Sequence, residues 1–285
     1  MPARTIKRLH AAVRDDIGDL VTRRPLPGPE LPQLDPFLFL NHHGPQVYPP
    51  HNRGLPFGPH PHRGFETVTF ILEGELAHLD TGGHESIIGA GGVQWMTAGR
   101  GLVHAELSPE RFKERGGALE ILQLWVNLPS KLKMTEPRYI GLQHEEIPTI
   151  TPDDRVRIEP VSGDWFGQPG PIASLTDVHM AVVRPAVGGS LDLPVARGRT
   201  IFLYVVRGSV VIGGQEASQF HLVELADDGD HVALAASDEA VLLLGHAPPL
   251  REPVVAHGPF VMNTQAEIIE AVRDYQAGKF GSLGA

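Results

Sequence analysis

The amino-acid sequence predicts an all-β protein: two β-barrels in tandem, followed by one C-terminal helix. Three observations predict it. Glycine, at 32 residues, and proline, at 26, punctuate short apolar runs instead of forming low-complexity tracts. A second series of such runs follows a Pro-rich, charged stretch and resembles a degenerate copy of the first. One segment near the C-terminus carries a helix-start signal with apolar residues at helical spacing. A length of 285 residues exceeds the usual single-domain size, which suits two barrels.

The first series comprises residues 67–72, 86–88, 92–96 and 118–126, each bounded by Gly, Pro or Asp turn signals. The connection is expected near residues 129–145, giving a first domain over 1–135 and a second over 136–285. The second series comprises residues 178–183, 200–206, 209–212 and 240–244. Aligning Gly74 with Gly208 lays residues 65–73 over 199–207, a strand leading into a glycine turn in both. Near the end, Thr264 and Glu267 form a capping box, and Ile268, Ala271, Val272 and Tyr275 follow on one helical stripe. That helix is expected to end at Gly278 and to pack its stripe on a barrel.

Lysine plus arginine number 24 against 34 acidic residues, a formal net charge of -10, and no basic run occurs. Direct nucleic-acid binding through phosphate neutralisation is therefore disfavoured. Cysteine is absent, so neither disulfides nor thiolate ligands exist and histidine must do any soft coordination. No apolar stretch approaches membrane-spanning length, and the N-terminus lacks the apolar core of a secretory signal. A soluble, cytoplasmic protein is expected.

Two short pairs carry the chemistry. His60 and His62 form an H-x-H pair, and His104 and Glu106 form an H-x-E pair about forty residues later. Alternate side chains of a β-strand share a face, so each pair projects to one side, and two such strands can close around one cation. Imidazoles with a carboxylate suit a transition metal such as Fe(II), Mn(II), Ni(II), Cu(II) or Zn(II) and match calcium or magnesium poorly. Four protein groups leave open positions on an octahedral ion, as catalysis requires.

Gly54, His60-x-His62, Glu66 and Gly74 together resemble the first motif of the cupin superfamily, and a glycine preceding His104 resembles its second. Three blocks are more specific. Residues 60–68 (HPHRGFETV), 94–101 (QWMTAGRG) and 257–264 (HGPFVMNT) are similar to pirins, over nearly the whole chain. This resemblance implies a bicupin whose N-terminal barrel holds iron through His60, His62, His104 and Glu106, while the second barrel is metal-free. His60 and His62 fall on Pro194 and Ala196 in the internal alignment, which fits that arrangement. Glu66 occupies the carboxylate place of the general cupin motif and shares strand parity with His60 and His62. Because pirins draw their carboxylate from the second motif, Glu66 is expected beside the ligands, orienting a histidine.

The resemblance further implies quercetin 2,3-dioxygenase activity on a flavonol and O2, with carbon monoxide released and Glu106 taking the proton of the flavonol 3-hydroxyl. A different class of reading is an iron-dependent regulator or transcriptional cofactor that binds a protein partner. A third is dioxygenation of another substrate. His42, His43, His51, His78 and His84 are read as surface or core residues, with His42 and His43 at the rim. His231 and His246 have no partner pattern. Arg63 and Arg100 flank the ligand pairs and either steer an anion or brace the loops, the second being favoured. Phe57, Phe65, Trp95, Met96 and Trp125 are read mostly as core.

Overall fold

In the computed structural model, which describes residues 2–283, the chain forms two compact units. One comprises residues 14–24, 37–145 and 250–285; the other comprises 1–13, 25–36 and 146–249. The expected single boundary at 135/136 is corrected on three counts. The strand Arg138–Leu142 pairs with Val93–Thr97 and so carries the first unit past residue 135. The strand Ile6–Ala11 pairs with His221–Leu225 and completes the second unit's sheet. The C-terminal helix, assigned from sequence to the second domain, packs in the first unit: Ile268 and Ala271 are buried against Val103, Phe260, Met262 and Phe280.

The helix Gln265–Gln276 itself forms as expected. Thr264 Oγ1 accepts from the Glu267 amide while the Glu267 carboxylate accepts from the Thr264 amide, satisfying two amides left open at the first turn. Gly278 follows with φ +73°, a conformation that suits the residue after a helix.

Each unit pairs a large sheet with a four-stranded one. In the first unit, neighbouring strands of the large sheet are Arg138–Leu142, Val93–Thr97, Phe65–Glu73, Gly117–Asn127 and Phe37–Tyr48. The four-stranded sheet runs Phe57–His62, Leu102–Leu107, Glu75–Asp80, Glu85–Gly89. Ile71 and Ile121 of the former meet Leu76 and Ile88 of the latter in one buried cluster, so the sheets face each other across a core. The second unit repeats the plan. Its large sheet places Thr200–Arg207 between His221–Leu225 and Val241–Ala247, and its small sheet runs Ser190–Pro194, His231–Ala236, Ser209–Ile212, Gln215–Ser218.

The repeat extends to its turns. Gly74 (φ +85°) and Gly208 (φ +73°) each join a strand of the large sheet to one of the small sheet, in the left-handed region where a Cβ is penalised. The expected registration slips by one residue at the ligand positions: Pro194 and Ala196 are exposed, and Leu193 and Val195 take the inward places of His60 and His62. His60 lies opposite His104, and on the core face of the second unit Leu193 lies opposite Val232, so Val232 is that unit's counterpart of His104. Aliphatic side chains including Leu191, Leu193, Val210, Val232 and Leu234 fill that barrel, and His231, half-buried on the other face of its strand, bonds Asp230. The interior that receives ligands in one unit is packed hydrocarbon in the other.

Candidate metal centre

The strands Phe57–His62 and Leu102–Leu107 are antiparallel neighbours, with His104 opposite His60 and Leu102 opposite His62. Directly paired residues share a face, so three imidazoles converge inside the barrel. One nitrogen from each of His60, His62 and His104 lies within 4.8 Å of the others. It is the one such cluster of His, Cys, Asp or Glu found among the described residues. Ring centroids are 4.4 Å apart for His60 and His104 and 4.9 Å for His62 and His104.

Backbone carbonyls set the orientation of two rings. His60 Nδ1 donates to Gly58 O at 2.7 Å, and His62 Nδ1 faces Pro259 O at 3.4 Å, which leaves Nε2 of both available to an ion. His104 differs. Its side chain is 1 % exposed, and neither Nδ1 nor Nε2 has a hydrogen-bond partner among the described residues. Burying an imidazole without partners costs about 1–3 kcal/mol, a cost that a bound cation removes. Burial, reinforced by His60, pushes the His62 pKa down to about 3. Burial, with His62, His60 and His78 nearby, holds His104 well below its ordinary value. Both rings are therefore neutral at physiological pH, the state in which imidazole binds metal. The residues present fit a divalent transition metal.

Glu106 stands apart from the three-nitrogen cluster. It is on the same face of its strand as His104, but a bulge intervenes: Glu106 opposes Phe57, and the extra residue lies in the Phe57–His62 strand. Its carboxylate is buried, accepting from Thr69 Oγ1 at 3.0 Å and from Gln123 Nε2 at 2.6 Å. Thr69 and Gln123 are cross-strand partners in the large sheet, so that sheet holds the carboxylate from the far side of the barrel.

Glu66 departs from expectation. The chain turns at Gly64 (φ +89°), so Glu66 starts a strand of the other sheet and does not continue the parity of His60 and His62. Its Oε1 accepts from Thr97 Oγ1 at 2.6 Å, no histidine among the described residues bonds it, and burial raises its pKa.

Other groups surround the cluster. His78 lies opposite Glu106, and Asp80 opposite His104, on the same inward face. His78 Nε2 bonds Asp80 Oδ2 at 2.9 Å, and the ring stacks on Tyr139 at 3.9 Å. Burial alone would raise the Asp80 carboxyl, but hydrogen bonds from His78 and His84 outweigh it and lower the pKa. The H-x-D spacing of His78 and Asp80 is the signal from which this pair was legible. His43 also faces inward, lining a small cavity with Glu106, Phe57 and Gln123, instead of lying at the rim. His42 is fully buried against Glu120. Phe65 and Trp125 pack on His62 at 5.0 and 5.4 Å, while Trp95 and Met96 are core.

The C-terminal segment supports the centre from behind. Besides Pro259 O on His62, Lys133 Nζ donates to Gly64 O, Asn127 Oδ1 and Val261 O, fastening the turn after His62 to that segment. Arg63 pairs with Asp274 of the helix and Arg100 with Glu136, so both arginines brace the structure.

Comparison with known proteins covers both halves. The Pirin family model matches residues 19–126, and the Pirin C-terminal cupin domain matches residues 180–281. Pirin of Rattus norvegicus is 41% identical over 291 residues, spanning 99% of this chain and 94% of that protein. A crystal structure of quercetin 2,3-dioxygenase from Acinetobacter baumannii superposes with a TM-score of 0.93 at 34% identity, covering 99% of this chain and all of that one. The Escherichia coli pirin YhhW, solved with nickel(II), has a TM-score of 0.68 at 23% identity, covers 85% of this chain and 99% of that one, and shares the fold.

Proposed function

The chain belongs to the pirin family, and on that footing we propose that it is a metal-dependent dioxygenase cleaving flavonols of the quercetin type with O2 and releasing carbon monoxide. The observation that carries this reading is His104: a buried, neutral imidazole whose two nitrogens have no hydrogen-bond partner among the described residues, set against His60 and His62. A ring in that state is in the form in which imidazole binds a metal.

His60, His62 and His104 hold the metal, with Glu106 as the fourth ligand. Fe(II) is the ion this reading takes, and when bound it would supply Lewis acidity toward the flavonol oxygens and redox chemistry with O2. The remaining work falls to side chains. Glu106 accepts the proton of the flavonol 3-hydroxyl at a carboxylate oxygen, aided by the steady orientation that Thr69 and Gln123 impose. Those two donors also stabilise the anionic carboxylate before the proton arrives. Phe65 and Trp125, packed on His62, supply an aromatic wall for the flavonol rings and keep water from them.

The test is to mix ferrous-loaded protein with quercetin in air and follow flavonol absorbance, oxygen uptake and carbon monoxide. One O2 consumed and one CO released per flavonol lost supports the reading. A fully loaded protein that leaves the flavonol intact contradicts it and favours a regulatory role.

A further inference from the structure

A second cavity, of ≈ 550 Å³, opens in the same unit where the turn at Arg100–Gly101 meets the end of the C-terminal helix. That volume is within the range of small-molecule sites. We propose that it binds an organic monocarboxylate with an aromatic body, held by the free edge of the Arg63 guanidinium.

Arg63 is built into the wall, not draped over the surface. It is 4 % exposed; Nε donates to Arg100 O at 2.6 Å, Nη2 to Asp274 Oδ2 at 2.9 Å, and the guanidinium carbon lies 4.7 Å from the Phe280 ring centroid. Nη1 has no hydrogen-bond partner among the described residues, though every other nitrogen of the group is used. A planar cation fixed on a ring, with one donor edge open, is preorganised for a carboxylate.

Charge and wall chemistry select the ligand class. Arg63, Arg100 and Lys279 line the cavity against Asp274 and Glu136, three permanent cations facing two carboxylates. Asp274 already serves both Arg63 and Lys279, the latter at 2.6 Å. One positive charge is left over in a chain whose formal net charge is -10, which suits a singly charged anion better than a phosphate dianion. Phe280, Leu102 and Pro137 supply apolar wall for the ligand's body.

The experiment is calorimetric titration of the metal-loaded full chain with benzoate and with benzamide, its uncharged isostere. Benzoate is expected to bind and benzamide to bind at least about threefold more weakly. Lys279→Ala and Arg100→Ala, both at exposed side chains, are expected to weaken benzoate by a similar factor, and Arg63→Lys to weaken it further. His60→Ala, which removes a metal ligand, is expected to leave benzoate binding unchanged. Equal binding of benzoate and benzamide, indifference to both Lys279→Ala and Arg100→Ala, or loss of binding in His60→Ala would overturn the proposal, the last by placing the carboxylate on the metal. None of these results depends on flavonol turnover.

Discussion

His104 faces His60 directly across an antiparallel strand pair, ring centroids 4.4 Å apart, while both of its own nitrogens are buried without a hydrogen bond among the described residues. The barrel thus keeps a polar group in a state that folding alone disfavours. The counterpart position of His104 in the other unit is Val232, opposite Leu193, and that barrel's interior is filled with aliphatic side chains.

A trade between stability and ligation follows. His104→Leu removes the unpartnered imidazole and is expected to raise the stability of metal-free protein by roughly 1 kcal/mol. The same substitution should lower metal affinity at least about 100-fold. Denaturant titration of the metal-free forms, with metal content by elemental analysis, measures both. A destabilised variant that keeps its metal would contradict the assignment.

Glu106→Gln keeps the size of the side chain but removes its charge and its capacity to accept the hydroxyl proton. Flavonol turnover is expected to fall by about 10²–10⁴-fold, with metal content reduced far less. Steady-state rates on protein of known iron content give the comparison. Turnover equal to that of the parent protein would exclude Glu106 as the base.

Acid should unfold the metal-free protein early. Burial pushes both His43 and His62 down to about 3, whereas an unfolded chain protonates them near 6.5. Between those values the unfolded state binds protons that the folded state refuses, so stability falls as pH drops from 6.5 toward 3 and levels off above 6.5. Each group contributes a slope of up to about 1.4 kcal/mol per pH unit. His43→Phe, which leaves the ligands untouched, is expected to flatten the curve by one proton. An unchanged slope in urea titrations at pH 4 to 6.5 would show that His43 is not held neutral.

The turn after His62 is expected to tolerate no side chain. At Gly64, φ is +89° and an added Cβ would collide with the Val261 carbonyl oxygen, so Gly64→Ala should cost more than about 3 kcal/mol. Gly83 has nearly the same φ but opens onto free space, so Gly83→Ala should cost only the backbone strain, about 1 kcal/mol. Urea midpoints of the two variants distinguish backbone strain from collision.

Much of the site was legible because β-strands repeat every two residues. That period put His60 with His62 and His104 with Glu106 from spacing alone, and Gly74 and Gly208 marked equivalent turns. The same rule fails at Glu66, where the turn at Gly64 resets the parity, and it also fits His78 and Asp80, whose H-x-D spacing sets both on the inward face. Contacts between distant segments leave no periodic trace. Ile6–Ala11 completes the second unit and the helix Gln265–Gln276 joins the first because of partners roughly two hundred residues away, such as Arg63 for Asp274. The donors that fix Glu106, Thr69 and Gln123, read in sequence as ordinary strand polar residues.

Crystals of the ferrous-loaded protein, measured across the iron absorption edge, test the metal centre most directly. The expected result is a single anomalous peak per chain, bonded to a nitrogen of each of His60, His62 and His104 and to the Glu106 carboxylate. A chain loaded with iron that shows no peak among these residues, or a peak elsewhere, would contradict it.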